Sequence, residues 1–226
     1  MLPQTPVAHL NPTRKPTQTD EGVSAAEDML EFHRRHGRFT TILADPPWQF
    51  MNRTGKMAPE HKRLHRYPTL TQQDILELPV AQLAADKAHL YLWVPNALIA
   101  EGLEVMKRWG FEYKTNLIWY KTRKDGGPDG RGVGFYFRNV TEMILFGVRG
   151  KNNRTLQPGR TQTNIIVKQR REHSRKPDEQ YDLIQRCSPG PYLELFARNA
   201  QPGWKAWGNQ IDADSGQVVP FERKQA

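Results

Sequence analysis

Cysteine is nearly missing from this chain: Cys187 is the single one in 226 residues. An internal disulfide framework is therefore excluded and a reducing compartment is expected. Nothing around Cys187 marks it as a ligand or nucleophile. Long apolar runs are missing too. No stretch approaches the roughly 18 apolar residues of a membrane span, and the first residues lack the basic-then-apolar pattern of a secretory leader. The expectation is a soluble, cytoplasmic protein with no membrane contact. Metal-ligand clusters are equally scarce: His33 and His36, and His61 and His65, stand at helical spacing without acidic or thiol companions, so no metal is expected. No Ser/His/Asp arrangement is suggested. Gly-x-G-x-x-Gly phosphate loops are absent as well. The looser Gly130-Arg131-Gly132-Val133-Gly134 has no strand before it and no helix after it, so it is discounted as a phosphate cradle.

Acidic residues are outnumbered: 33 Lys and Arg face 24 Asp and Glu, a formal net charge of +9. Such a balance points to a polyanionic partner, and its distribution is uneven. Arg53, Lys56, Lys62, Arg63 and Arg66 are opposed by Glu60 alone. Further on, Lys151, Arg154, Arg160, Lys168, Arg170, Arg171, Arg175 and Lys176 are opposed only by Glu172. Interleaved His, Asn, Gln, Thr and Tyr can bond phosphates or base edges. Either stretch alone reads equally as a solvated basic surface; the pair, on both sides of the motif described below, favours nucleic acid.

Hydrophobic content of 37% with six Trp, seven Tyr and nine Phe supports a folded domain. Residues 1–20 are rich in Pro, Thr and Gln without periodicity and read as a disordered tail. A domain is expected over 21–212, with an irregular tail over 213–226. Ser24 with Glu27 reads as a capping box opening a helix that Gly37 stops. Strands are expected at 39–45, 88–94, 112–120, 141–148, 163–167, 192–197 and 204–208. Helices are expected after Thr71, over 96–109 and over 177–187, the last opened by Pro177 and ended by Ser188-Pro189-Gly190-Pro191. Residues 49–69 form a long basic loop, a length that marks function. Alternating strands and helices predict an α/β domain with a mainly parallel sheet covered on both faces.

The most informative motif is Asp45-Pro46-Pro47-Trp48, placed at the end of the apolar run Phe39-Thr40-Thr41-Ile42-Leu43-Ala44. The run reads as a buried strand, so Asp45 is delivered at a strand's C-terminal edge, where open α/β sheets bind ligands. Two prolines fix φ and remove two donors, which predicts a rigid corner whose carbonyls are acceptors without paired donors. An exocyclic base amine needs such a corner. It is conjugated with its ring and a poor nucleophile, and acceptors on both its hydrogens polarise it. Asp45 and the Pro46 carbonyl supply those acceptors in this reading, and Trp48 stacks on the base. Flipping a base from a duplex costs a few kcal/mol, and aromatic stacking returns roughly 1–3 kcal/mol. The plain alternative is a strand-to-loop turn with a buried Trp.

With Tyr67-Pro68-Thr69, Leu90-Tyr91-Leu92-Trp93-Val94, Leu117-Ile118-Trp119-Tyr120-Lys121-Thr122, Ser174-Arg175-Lys176-Pro177-Asp178-Glu179, Glu194-Leu195-Phe196-Ala197-Arg198 and Trp207-Gly208-Asn209-Gln210, the chain resembles the MT-A70 family of adenine N(6)-methyltransferases. The likeness covers roughly residues 38–212, and small bacterial and phage members of the family are similar in length to this chain. It implies a Rossmann-like, S-adenosylmethionine-dependent methyltransferase sheet in permuted order, with the catalytic turn first and the cofactor strand last. It further implies that Asp45, Pro46, Pro47 and Trp48 are catalytic. Asp45, Ser174, Lys176, Glu194, Phe196, Arg198, Asn199, Asn209 and Gln210 would hold S-adenosylmethionine, with Ser174 and Lys176 on its carboxylate and Glu194 on the ribose hydroxyls. Arg53, Lys56, Lys62, Arg63, Arg138, Asn139, Arg170, Arg171 and Arg175 would contact nucleic acid. Together with Tyr136, Arg138 and Asn139, the glycine-rich segment reads as a wall for the target base or as a hinge.

Two departures from the family pattern stand out. Larger members place an acid on the cofactor adenine upstream of the catalytic strand, and here both Glu27 and Asp28 occupy that region. The chain also lacks a clear match for a histidine that larger members carry after Arg198, which leaves the ribose contact of Asn199 without that part of the pattern. The reading is a DNA adenine methyltransferase, with a homodimer plausible from the family. The alternatives are an RNA adenosine methyltransferase and a non-catalytic nucleic-acid-binding subunit.

Overall fold

The computed structural model of the chain describes residues 25–49, 70–130, 136–170 and 175–208. Helix α1 (Ala25–His36) precedes β1 (Phe39–Ala44); α2 (Gln72–Glu77), α3 (Val80–Leu83), β2 (Ala84–Val94) and α4 (Ile99–Arg108) follow. Then come β3 (Glu112–Thr122), β4 (Thr141–Arg149), β5 (Ile165–Gln169), α5 (Glu179–Cys187), β6 (Tyr192–Leu195) and β7 (Trp204–Trp207). Local chemistry sets the boundaries. Gly37 and Gly110 take φ of 75° and 85° and close α1 and α4, a conformation glycine adopts without steric cost. Thr71 caps α2 in a reciprocal box with Asp74, as Ser/Thr-x-x-acid spacing requires. Ser24, expected to cap α1, lies outside the described residues.

Among the described residues the strands form one seven-stranded sheet in the order β5-β3-β4-β2-β1-β6-β7. Strand β4 is antiparallel to β2 and β3, and every other pairing is parallel. This is the doubly wound, Rossmann-like α/β arrangement that the alternating elements predict. The chain winds outward in one direction after β1 and in the other after β6, so the β1–β6 boundary is the topological switch point. Ligands of open α/β sheets bind outside the carboxyl ends of the strands at such a point. Because β4 runs backward, its first residues share that edge with the last residues of the parallel strands.

Strand alternation divides the core between two faces. Ile42, Ala44, Leu90, Leu92, Val94, Leu145, Leu193 and Leu195 pack under α1, α2, α3 and α4. Leu43, Tyr91, Trp93, Ile144, Phe146 and Trp119 pack under α5. Helix α4 lies close to the sheet because Gly102 faces it: a Cβ there would stand 2.6 and 2.8 Å from the two methyls of Val94. Several boundaries differ from expectation. Strand β2 starts at Ala84 rather than 88, since Ala84 pairs with Phe39 ahead of a register shift in β1. Residues 96–98 form a 3₁₀ turn before α4, α5 starts at Glu179 rather than 177, and β5 starts at Ile165 rather than 163. Strand β6 stops at Leu195 because Phe196 adopts a φ of 64° and turns the chain out of the sheet.

Candidate active site

Asp45 follows the last residue of β1 at the switch point, on the α5 side of the sheet. Its carboxylate receives the Lys176 ammonium at 3.0 Å on each oxygen. Lys176 enters just before α5, passes 4.9 Å from the centre of the Trp93 ring, and reaches Glu142 Oε2 at 3.2 Å. Glu142, the second residue of β4, takes Lys121 on its other oxygen at 2.5 Å. Asp45, Lys176, Glu142 and Lys121 thus form a chain of alternating charges that sums to neutrality. Burial opposes the Lys176 ammonium, yet Asp45 and Glu142 outweigh it and hold its pKa above the ordinary lysine value. Burial likewise opposes the Glu142 carboxylate, and Lys176 and Lys121 together hold it below the usual range. Charges kept from water persist only when paired in this way.

Glu194 lies on β6 directly across from Leu43 of β1, so its side chain shares the α5 face. Both its oxygens accept from the Tyr181 hydroxyl of α5, at 3.1 and 3.0 Å. Burial, reinforced by the negative charge of Asp45 and opposed by the Tyr181 hydrogen bond, pushes its pKa up to about 7. Burial and Glu194 in turn raise the Tyr181 phenol. A half-buried carboxylate in this state gains from further hydroxyl donors, which restore what desolvation removed. Beside it, Phe196 packs edge-on against Trp207 with ring centres 5.5 Å apart. The indole of Trp207 donates to Asp28 at 2.8 Å. Of the two upstream acids, Asp28 is therefore tied to β7.

The turn corrects two expectations. The Pro46 carbonyl is not left without a donor: the Trp48 amide reaches it at 2.8 Å, and the Pro47 carbonyl accepts from the Leu70 amide at 3.0 Å. With Pro46 and Pro47 deprived of N–H groups, the next available amides close the turn, leaving each carbonyl its second lone pair. Trp48 is also not presented as a stacking face. It is 6% exposed within the core, and its indole donates to the Trp93 carbonyl at 2.9 Å. The plain alternative for this residue, a buried Trp that pins the turn, is what the structure shows.

The other expected residues are dispersed. Arg198 and Asn199 are exposed after β6, and Asn139 and Arg138 are exposed before β4. Arg138 donates to the Gly130 carbonyl. Arg170 lies 4.0 Å from Asp129, and Arg175 turns to Asp178 at 2.9 Å rather than to the Asp45 cluster. Ser174, Asn209, Gln210, Arg53, Lys56, Lys62, Arg63 and Arg171 lie outside the described residues. Glu142, Lys121 and Tyr181 were not singled out from the sequence. A lone acid opening an apolar strand reads as an ordinary strand end; only the reversed direction of β4 brings Glu142 to the ligand edge.

Comparison with known proteins bears on this geometry. A family model described as MT-A70 matches residues 39–210. The chain is 36% identical over 198 residues to a human protein named N(6)-adenosine-methyltransferase catalytic subunit METTL3, covering 83% of this chain and 31% of the relative. It is 35% identical over 196 residues to the Drosophila melanogaster N(6)-adenosine-methyltransferase MT-A70-like protein, covering 83% and 30%. The chain thus spans about a third of the length of these relatives. With a Mycoplasma protein named Type II methyltransferase M.MunI it shares 30% identity over 193 residues, covering 77% of this chain and 78% of the other.

Proposed function

We propose that this chain, which belongs to the MT-A70 family, methylates the exocyclic amine of adenine in DNA with S-adenosylmethionine as methyl donor. The observation that carries the reading is Asp45 at the switch point, held by Lys176 and facing the raised carboxylate of Glu194. The residues suit the donor. Its amino-acid end bears an ammonium and a carboxylate side by side, and Asp45 and Lys176 present the complementary pair. Glu194 offers a carboxylate that ribose hydroxyls would stabilise, the usual role of an acid leaving a strand in nucleotide-binding α/β folds. When bound, the donor supplies an electrophilic methyl group on a sulfonium.

The protein's part is alignment and polarisation. Asp45 and the remaining lone pair of the Pro46 carbonyl accept from the two amine hydrogens, directing the nitrogen lone pair outward. Trp48 fixes the turn from below through Trp93, so the acceptors are set before the base arrives. Holding reacting atoms in place in this way supplies much of the rate without a metal. Ser174, Asn209 and Gln210 complete the cofactor contacts in this reading, and the basic residues flanking the site hold the strand.

The match to more than three quarters of the type II methyltransferase supports DNA, while the names of the human and fly relatives favour RNA adenosine as a second reading. Incubation with methyl-labelled S-adenosylmethionine and matched DNA or RNA, followed by digestion to nucleosides, separates them. The proposal expects label in N(6)-methyldeoxyadenosine. Label in the ribonucleoside alone selects the second reading. Failure to bind the cofactor in calorimetry points to a non-catalytic subunit.

A further inference from the structure

Burial of Trp48 leaves the proposed reaction without the aromatic face that a base drawn from its stack requires. The other tryptophans do not replace it: Trp93, Trp109, Trp119, Trp204 and Trp207 are each 8% exposed or less. Two aromatic residues behave oppositely. Tyr136 is 94% exposed and Phe137 is 86% exposed, far beyond the next aromatic among the described residues, Tyr113 at 40%. Adjacent apolar rings left in water forgo the stabilisation that burial would give, so they point to a partner.

Their placement indicates which partner. The segment joins β3 to β4, and because β4 is reversed it stands at the same sheet edge as Asp45, Lys176 and Glu194. Its base is fixed: the Lys121 amide donates to the Val140 carbonyl at 2.8 Å, and the Asp129 amide to the Lys121 carbonyl at 2.9 Å. Arg138 donates back to the Gly130 carbonyl at 3.1 Å. Lys121 itself is the outer member of the charge chain that ends on Asp45. Cations outnumber acids around it: Arg123, which pairs with Asp125 at 2.8 Å, Lys124 and Arg138 lie on the segment, and Lys168 and Arg170 at the end of neighbouring β5 stand 2.7 Å from Glu179 and 4.0 Å from Asp129. Exposed rings interleaved with cations suit unpaired bases on a phosphate backbone, whereas a protein partner would find charge at the centre of the patch.

We infer that Tyr136 and Phe137 are the stacking platform for unpaired bases beside the target adenine, and that Arg138 holds the adjoining phosphate. The inference rests on the proposed function and adds a preference for strands whose bases are already unpaired. Stacking is tolerant of base identity, so the platform contributes affinity and strand form rather than sequence choice.

Anisotropy of a fluorescein-labelled single strand and of the matching duplex, titrated with the full chain at several salt concentrations, tests it. The Tyr136→Ala/Phe137→Ala variant should bind the single strand about 10- to 100-fold more weakly, with an unchanged slope of log affinity against log salt. Tyr136→Trp/Phe137→Trp should retain binding, and Arg138→Ala should lower the slope by about 1. Both rings are exposed, so the melting temperature should not move. Wild-type affinity in the double alanine variant overturns the inference, as does a loss accompanied by dissociation of a dimer. If the wild-type chain methylates nucleic acid and the variant binds normally, only the platform fails. A wild-type chain that binds neither form takes the proposed function down with it.

Discussion

Lys176 has two carboxylate partners, and the second one determines how strongly it draws on the first. With Glu142 in place, the ammonium is shared, and in the proposed reaction Asp45 keeps acceptor capacity for an incoming amine. Glu142→Gln should concentrate Lys176 on Asp45 and slow single-turnover methyl transfer by about tenfold, short of the roughly 100- to 1,000-fold seen when a group that itself touches the transition state is lost. Adding Lys121→Met restores neutrality, so melting temperature should recover while the rate does not; recovery of both would reduce Glu142 to a structural role. Glu194 gives a pH test. Its pKa near 7 means a cofactor contact requiring the carboxylate should weaken as pH falls below 7, by about tenfold per unit at the limit. Calorimetric titration across that range checks this, and Glu194→Gln should abolish the dependence. Trp48→Phe should act on stability, costing about 1–3 kcal/mol for the lost indole contact and packing, with nucleic-acid affinity unchanged once the protein is folded. Asp45 and Glu194 were singled out from the sequence because each accompanies an apolar strand, Asp45 just after the last residue of β1 and Glu194 one residue before the end of β6. Trp48 was misjudged because a Trp beside a functional acid looks the same whether its ring faces ligand or core.

Two strand ends and one turn assemble the site, and their geometry depends on backbone contact that sequence patterns do not announce. Gly208 lets β7 close against the turn after β6: a Cβ there would stand 2.8 Å from both the Ala197 amide nitrogen and its carbonyl oxygen, and 3.0 Å from the Phe196 carbonyl carbon. Backbone cannot yield as a flexible side chain can. Gly208→Ala should therefore displace the Phe196 turn and weaken cofactor binding by tenfold or more in calorimetry, more than it lowers the melting temperature. Alternation of strands and helices made the class of fold legible, and Gly37 marked the stop of α1. The reversed β4 was not legible, because Thr141–Arg149 has the same apolar character whichever way it runs. That one direction accounts for the absence of Glu142 from the expected site and gives the Tyr136–Phe137 segment its position.

Across the whole molecule, the excess of 33 basic over 24 acidic residues predicts nucleic-acid affinity that falls steeply with salt, the slope reporting the phosphates neutralised. Acid stability reflects groups that pull in opposite directions, and Glu142, held below the usual carboxylate range, adds stability that fades as pH falls. His89 is fully buried, with Nδ1 on the Ser188 hydroxyl at 2.7 Å, and burial lowers its pKa. Below about pH 6.5 the unfolded chain takes up that proton and the folded one resists, so stability falls as pH falls. Glu194, raised to about 7, binds a proton when folded and opposes the trend between its unfolded value and 7. Replacing it by Gln should steepen the acid loss of stability in urea titrations; an unchanged profile would mean that Glu194 is ionised in the free protein. The central claim remains that Asp45 activates the amine. The most direct measurement is the single-turnover rate of methyl transfer to DNA by Asp45→Asn and wild type, at saturating cofactor and with folding verified. The account predicts a fall of about 100-fold or more, and a variant that methylates at the wild-type rate would contradict it.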